Sequence, residues 1–216
     1  SGRALFTDHI EYGDAQTIKN FVLRQQAEDG SPNVWPQIFE IGLVYPDTIK
    51  VIQVNVNSRI TEIKEAIGLQ KPISVIYNYN GYGYGVFPID PNNLDKTPEI
   101  KDEVARAYSY INAYENTLTG KITAVKAFDV FVKGIAVEQN ELIVKLLSNQ
   151  LSSIFWDFLT IKQQVVAQAE LEQLLFNKLQ TELPSNIKKT IFGLFESIAY
   201  SKTGKEKLYQ IWNKEI

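Results

Sequence analysis

The chain has 216 residues, 22 basic and 25 acidic side chains, a net charge of −3 and 44 % hydrophobic residues. A chain of this length buries about 70 % of its unfolded surface on folding, and the composition excludes disordered, collagen-like and coiled-coil classes. No apolar stretch approaches the ~18 residues of a bilayer span, and the charge balance gives no basic footprint for nucleic acid. The absence of Cys removes disulfides, thiolate nucleophiles and cysteine-ligated zinc, and leaves the compartment of a soluble protein open between cytoplasm and cell envelope. His9, the one histidine, cannot supply a two-histidine zinc site, and calcium or magnesium loop patterns are missing. No catalytic, cofactor or metal site is therefore expected in these residues. The chain opens Ser1-Gly2 and contains no Met, which reads as a piece of a longer polypeptide.

Up to Asp95 the sequence holds eight of the twelve Gly and six of the eight Pro, with 7 basic against 11 acidic residues. Short runs rich in β-branched and aromatic residues recur there: Ala4 to Ile10, Thr17 to Leu23, Val34 to Tyr45, Ile49 to Val56, Arg59 to Glu65, Ile73 to Tyr79 and Tyr84 to Ile89. Seven such runs predict a small immunoglobulin-like β-sandwich. Glu28 to Asn33 and Tyr45-Pro46-Asp47 supply the turn chemistry between them.

Pro88 to Pro98 interrupts both hydrophobic periods and marks a linker, so two domains are expected, residues 1–95 and 96–216. Beyond it the spacing turns helical. Ile100, Val104, Ala107, Ile111 and Leu118 run to a stop at Gly120, and Ala124, Phe128 and Phe131 to a stop at Gly134. Leu142 to Phe158 marks a third helix, and Thr160 with Gln163 forms a capping box that opens a fourth through Leu179. Pro184-Ser185 starts a fifth with Ile187, Ile191, Phe195 and Ile198, and Leu208 to Trp212 carries a sixth. Six helices with short connections suit stacked antiparallel pairs, an α-solenoid, with a compact bundle as the alternative.

The segment Tyr77 to Gly85, with Tyr77, Tyr79, Tyr82 and Tyr84 interleaved by Asn and Gly, carries groups that stack on a sugar or base; a hairpin turned at Asn80-Gly81 accounts for it better. No helix start follows its glycines, which excludes a phosphate loop. His9 between Asp8 and Glu11 has the parts of an oriented base and no nucleophile beside it in sequence. Asp102-Glu103, Glu170 with Glu172, and Lys188-Lys189 read as solvated helix faces.

The order of parts, together with Gly83 to Asp90, Tyr108 to Asn116 followed by Leu118-Thr119-Gly120, Leu183 to Thr190, Phe195 to Ala199 and Leu208 to Trp212, resembles the C-terminal region of zinc aminopeptidases of the aminopeptidase N family, in a divergent bacterial branch. The family's closing strand carries Arg where this chain has Gly85. The resemblance implies a sandwich that acts as a spacer and a helical superhelix that covers the active-site chamber. It further implies zinc in an upstream catalytic domain that carries a His-Glu-x-x-His helix, peptide substrates for that parent, and an inactive C-terminal portion here. Trp35, Tyr82 and Trp156 are then the expected anchors toward the upstream domain. The competing expectation is a stand-alone interaction or carbohydrate-binding module that uses Tyr77 to Tyr84.

Overall fold

The computed structural model describes residues 2–214; Ser1, Glu215 and Ile216 lie outside the described residues. The contacts divide the chain into two compact units. One holds residues 1–96 and 100–119, the other residues 97–99 and 120–216. The helix that follows the linker thus belongs with the β region, where the sequence reading places it beyond a boundary at residue 95.

The first unit contains two small antiparallel sheets. Strands β1 (Ala4–Tyr12), β2 (Ile18–Ala27) and β5 (Ile60–Glu62) form one, in the order β1-β2-β5. Strands β3 (Gln37–Val44), β4 (Ile49–Val56) and β6 (Ser74–Tyr77) form the other, in the order β4-β3-β6. Alternation along the strands sends Phe6, Phe21 and Leu23 from one sheet and Phe39, Ile41, Leu43, Val54 and Val56 from the other into a shared core. Each of these side chains is essentially removed from water, which contributes about 1.5–3 kcal/mol per large apolar residue before chain entropy is counted.

The expected seventh strand, Tyr84 to Ile89, is not a strand. One parallel bridge, Leu5 with Val86, attaches this segment to the edge of β1. Two bonds make it: Phe6 N–H donates to Val86 O (2.8 Å) and Val86 N–H to Ala4 O (2.9 Å). Side-chain packing holds the rest. Phe87 stacks on Phe6 at 4.8 Å and meets Phe39 edge-on at 5.0 Å, so it fills the space between the sheets without ladder bonds of its own. The hairpin expected at Asn80-Gly81 is also absent, because β6 pairs with β3 and the chain then leaves that sheet for β1.

Helix α1 (Glu103–Leu118) completes this unit. Asp102 caps it, accepting from Ala105 N–H at 2.9 Å. Asn112 accepts from Phe87 N–H (3.0 Å) and donates to Pro88 O (3.2 Å), and Asn116 donates to Phe87 O (3.0 Å). Two amides one helical turn apart therefore satisfy the backbone of the closing segment where a neighbouring strand would otherwise do so. Arg3, at the start of β1, bridges Glu28 at the end of β2 and Glu115 on α1.

The second unit is helical: α2 (Ala124–Val137), α3 (Glu141–Ser153) with a π turn at Ile154–Phe158, α4 (Ile161–Leu179), α5 (Ser185–Ile198) and α6 (Lys202–Trp212). Gly134 does not end α2, which continues for a further turn and buries Ile135. The capping box is present as expected, Gln163 N–H donating to Thr160 Oγ1 and Thr160 N–H to Gln163 Oε1. Phe128, Phe131, Leu147, Leu151, Phe155, Leu171, Leu175, Ile191 and Phe195 line the interior, α5 packing on both α3 and α4.

Candidate functional site

The segment Tyr77 to Gly85 leaves β6 through a turn in which Asn78 has φ +54° and Gly81 φ +74°. Each amide in it is used internally. Asn78 accepts from Gly83 N–H (2.6 Å) and donates to Gly83 O (3.0 Å), closing the loop on itself. Asn80 Oδ1 accepts from Glu40 N–H (3.2 Å) and Tyr82 N–H (3.3 Å). Gln37 takes the place of a strand for Tyr84, accepting from its N–H at 2.7 Å and donating to its O at 3.2 Å.

The four tyrosines divide into two kinds. Tyr77 is buried and donates to Asp8 Oδ2 at 2.7 Å. Burial, then the Asp8 charge and this bond, hold its phenol well above the ordinary range. Tyr79 lies over Gly42, where a Cβ would sit 2.7 Å from its ring, and burial pushes its phenol up. Tyr82 and Tyr84 stand 81 % and 62 % exposed. The segment therefore presents two outward rings on a braced backbone, with phenol hydroxyls as their polar groups.

His9 is exposed and lies 2.9 Å from Glu11 Oε1, while Asp8 is turned to Tyr77, so the structure does not bring Asp8 and His9 together as an oriented base. Asp102 and Glu103 are exposed, as expected, and Asp102 in addition caps α1. Lys188, Lys189 and Glu170 are exposed, as expected. Glu172 is not: it is 3 % exposed, the one residue of these charged groups that the sequence reading placed on the wrong face. Gln168 Nε2 donates to its Oε1 (2.7 Å), Ser201 N–H donates to the same oxygen (3.1 Å), and Ser201 Oγ–H donates to Oε2. Gln164, one turn earlier on α4, donates to Phe155 O at 2.7 Å. Gln164, Gln168 and Glu172, four residues apart, form a buried polar row that fastens the π turn and the start of α6 to α4. Spacing alone cannot distinguish such a row from a solvent face, since both repeat every turn.

Lys178 Nζ donates to Ala136 O (3.0 Å) and Glu138 O (3.2 Å) at the end of α2. Burial lowers its pKa and the Glu138 charge opposes that. With two of its three protons on carbonyls at the end of α2, it serves as a cationic cap of that helix. Among the described residues no cluster of three or more His, Asp or Glu is placed to hold a metal, and no described helix is long and apolar enough to cross a membrane. An open polar cleft of about 530 Å³ lies beside the β2–β3 connection, lined by Arg24, Glu28, Ser31, Asn33 and Arg59 among others; Glu28 there is engaged by Arg3 and Arg59 donates to Pro32 O.

Of the expected interface aromatics, Trp35 packs against the sheet core, and Trp156 packs against Phe155 and Tyr200 at 5.0 and 5.5 Å. Tyr82 projects into solvent. The chain matches no family model and no curated protein.

Proposed function

We propose that this chain is a non-catalytic C-terminal portion of a zinc metallo-aminopeptidase of the aminopeptidase N type, whose parent removes N-terminal amino acids from peptides. In this reading residues up to Asp95 are a β-sandwich spacer of immunoglobulin-like form. The helices of residues 96–216, of which Tyr108 to Asn116 belongs to the first, form an α-solenoid that covers the catalytic chamber. Zinc and the catalytic residues belong to an upstream domain that carries the His-Glu-x-x-His helix, and the chamber-facing side of these residues meets substrate only when that domain is present.

The observation that carries the reading is the clasp between Asn112, Asn116 and the backbone of Phe87 and Pro88. Gly83 to Asp90 and Tyr108 to Asn116, two of the segments on which the resemblance rests, lie together, and Asn112 and Asn116 supply polar partners to the backbone of Phe87 and Pro88.

The test uses the whole polypeptide encoded with these residues, purified and assayed on aminoacyl-anilides with and without a chelator, beside the 216-residue chain alone. Chelator-sensitive hydrolysis by the whole polypeptide, with one zinc per chain and none held by the 216 residues, is the expected result. A whole polypeptide without a His-Glu-x-x-His helix and without hydrolysis overturns the reading. The exposure of Tyr82 and Tyr84 on a braced segment favours a second reading, a stand-alone interaction or carbohydrate-binding module. Glycan binding by the 216-residue chain, lost in Tyr82→Ala, selects it.

A further inference from the structure

Strand β4 is an open edge. β3 is its sole strand partner among the described residues, and the pairing runs without a bulge from Ile49 with Val44 to Val56 with Gln37. The phase of the ladder follows from the turn that joins them. Tyr45 N–H donates to Thr48 O at 2.8 Å, and bonded pairs recur at every second residue, so 43 with 50, 41 with 52 and 39 with 54 exchange bonds. The other side of β3 agrees, since Glu40 accepts from Tyr79 N–H and gives its own N–H to Asn80, away from β4. Ile49, Val51, Gln53 and Asn55 therefore aim their N–H and C=O groups outward from the sheet, where no described group receives them.

Natural sheets protect such an edge with Pro, a bulge, short length or charge. β4 is eight residues long, contains no Pro or Gly, and carries a single charge, Lys50. Val51, Gln53 and Asn55 are exposed, and Val51 shares the outer face of the sheet with half-exposed Ile38 on β3.

We propose that this edge binds a second copy of the chain, the two β4 strands pairing antiparallel about a two-fold axis at Ile52, so that two three-stranded sheets join into one of six. The sequence of the edge is what selects a second copy over an unrelated strand. In this register Ile49 faces Asn55 of the partner and Val51 faces Gln53 of the partner, and all four outward residues of each strand exchange bonds. The only charge of β4, Lys50, faces the partner's Val54, and Glu40, opposite Gln53 on the outer face of β3, stays one strand away from the seam, so no like charges meet across it. The inference is independent of the peptidase reading.

Two measurements on the 216-residue chain test it. Sedimentation equilibrium from low micromolar to near-millimolar chain should show a mass that rises toward twice the monomer. Amide exchange read residue by residue should show protection of Val51 and Gln53 that grows with concentration, while Ile52 and Val54 are protected throughout. Gln53→Pro removes an N–H that points away from β3, so it should abolish the dimer and keep the circular dichroism spectrum. Should that variant misfold, a second pair carries the test: Val51→Lys with Gln53→Lys should weaken association more than about tenfold, and Val51→Lys with Gln53→Glu should restore it, because residue 51 of one copy faces residue 53 of the other. A single-chain mass at every concentration, or a dimer in which Val51 and Gln53 exchange as freely as in the monomer, overturns the proposal.

Discussion

Gly85 shows how one residue closes the β region. Its φ is +147°, and a Cβ at this position would stand 2.5 Å from Ala4 O, the carbonyl that receives Val86 N–H. An L side chain meets both a sparsely populated backbone conformation and a hard contact with backbone that cannot yield without loss of the bridge to β1. The Arg found here in the closing strand of the resembled family has no place in this geometry. Gly85→Ala should therefore lower stability by about 2–4 kcal/mol, of which about 1–3 kcal/mol comes from the backbone alone. Urea melts followed by Trp35, which packs on this core, measure it. A change below about 1 kcal/mol would mean that the segment shifts freely and is not held by the bridge. Tyr77 supplies a pH-dependent counterpart. Its folded phenol titrates well above the ordinary value of 10.0, so the unfolded chain loses this proton first as pH rises. Its stabilisation is complete below about pH 10 and is lost above it, through the window up to the folded pKa. Tyr12, Tyr45 and Tyr79 are shifted in the same direction and add to the slope. Tyr77→Phe should start less stable at pH 8, having left Asp8 without its partner, and should show a shallower loss of stability between about pH 9 and 11. Parallel curves for the two proteins would show that Tyr77 ionises as readily in the folded chain as in the unfolded one.

At the scale of elements, what the sequence discloses depends on whether an element makes its own hydrogen bonds. Helices α1 to α6 do, and the Thr160 cap of α4 is legible in the sequence; Asp102, Thr123, Asn140 and Ser201 likewise accept from a first-turn N–H, though the sequence reading does not single them out as caps. Strands borrow bonds from neighbours, and so Tyr84 to Ile89, with the composition of a strand, forms only a bridge because two helix amides and Phe87 packing take the place of a ladder. The Tyr77 to Gly85 segment was visible as unusual composition, but Gln37, which braces Tyr84 from 47 residues away, was not, since nothing local marks a glutamine that acts as a strand. Helix α4 defeats periodicity in another way. Its buried face carries Gln164, Gln168 and Glu172 before and beside Leu171, Leu175 and Leu179, and Ile161, Val165 and Val166 face solvent, so over its first turns the apolar and polar stripes exchange places. The buried row is there because the π turn, the end of α5 and the first turn of α6 all expose backbone groups toward α4. Glu172→Gln keeps the shape and turns one acceptor into a donor that faces either Ser201 Oγ–H, at the Oε2 position, or Ser201 N–H and Gln168 Nε2, at the Oε1 position. The expected cost is about 1–3 kcal/mol, with α6 loosened first. Amide exchange that rises at Gly204 and its neighbours while α3 stays protected supports this; a uniform loss across all helices would show that the row stabilises the unit as a whole and does not specifically seat α6.

On the scale of the whole molecule, the division of labour between sheet and helix does not coincide with the division into compact units. Composition changes at the Pro-rich stretch near residue 95, but contacts assign the helix beyond it to the β region. The reason is polar as much as apolar. Without α1 the backbone of Phe87 and Pro88 loses Asn112 and Asn116, Arg3 loses Glu115, and Gly81 loses the Tyr108 ring that lies against it. Three buried or half-buried hydrogen bonds, each worth about 1 kcal/mol net and more when a partner is left unsatisfied, remove a large share of the ~5–15 kcal/mol that a domain possesses. A piece ending at residue 119 should therefore melt cooperatively with a β-rich spectrum that also contains one helix, whereas a piece ending at residue 95 should melt at a markedly lower temperature or not fold. Residues 120–216, which contain the whole of the second unit apart from 97–99, should give an α-type spectrum by themselves. The decisive comparison is the thermal melt of 1–95 against 1–119. Equal melting temperatures would show that α1 is a passenger on the sheets, and the compositional boundary, not the contact boundary, would then be the true limit of the folding unit.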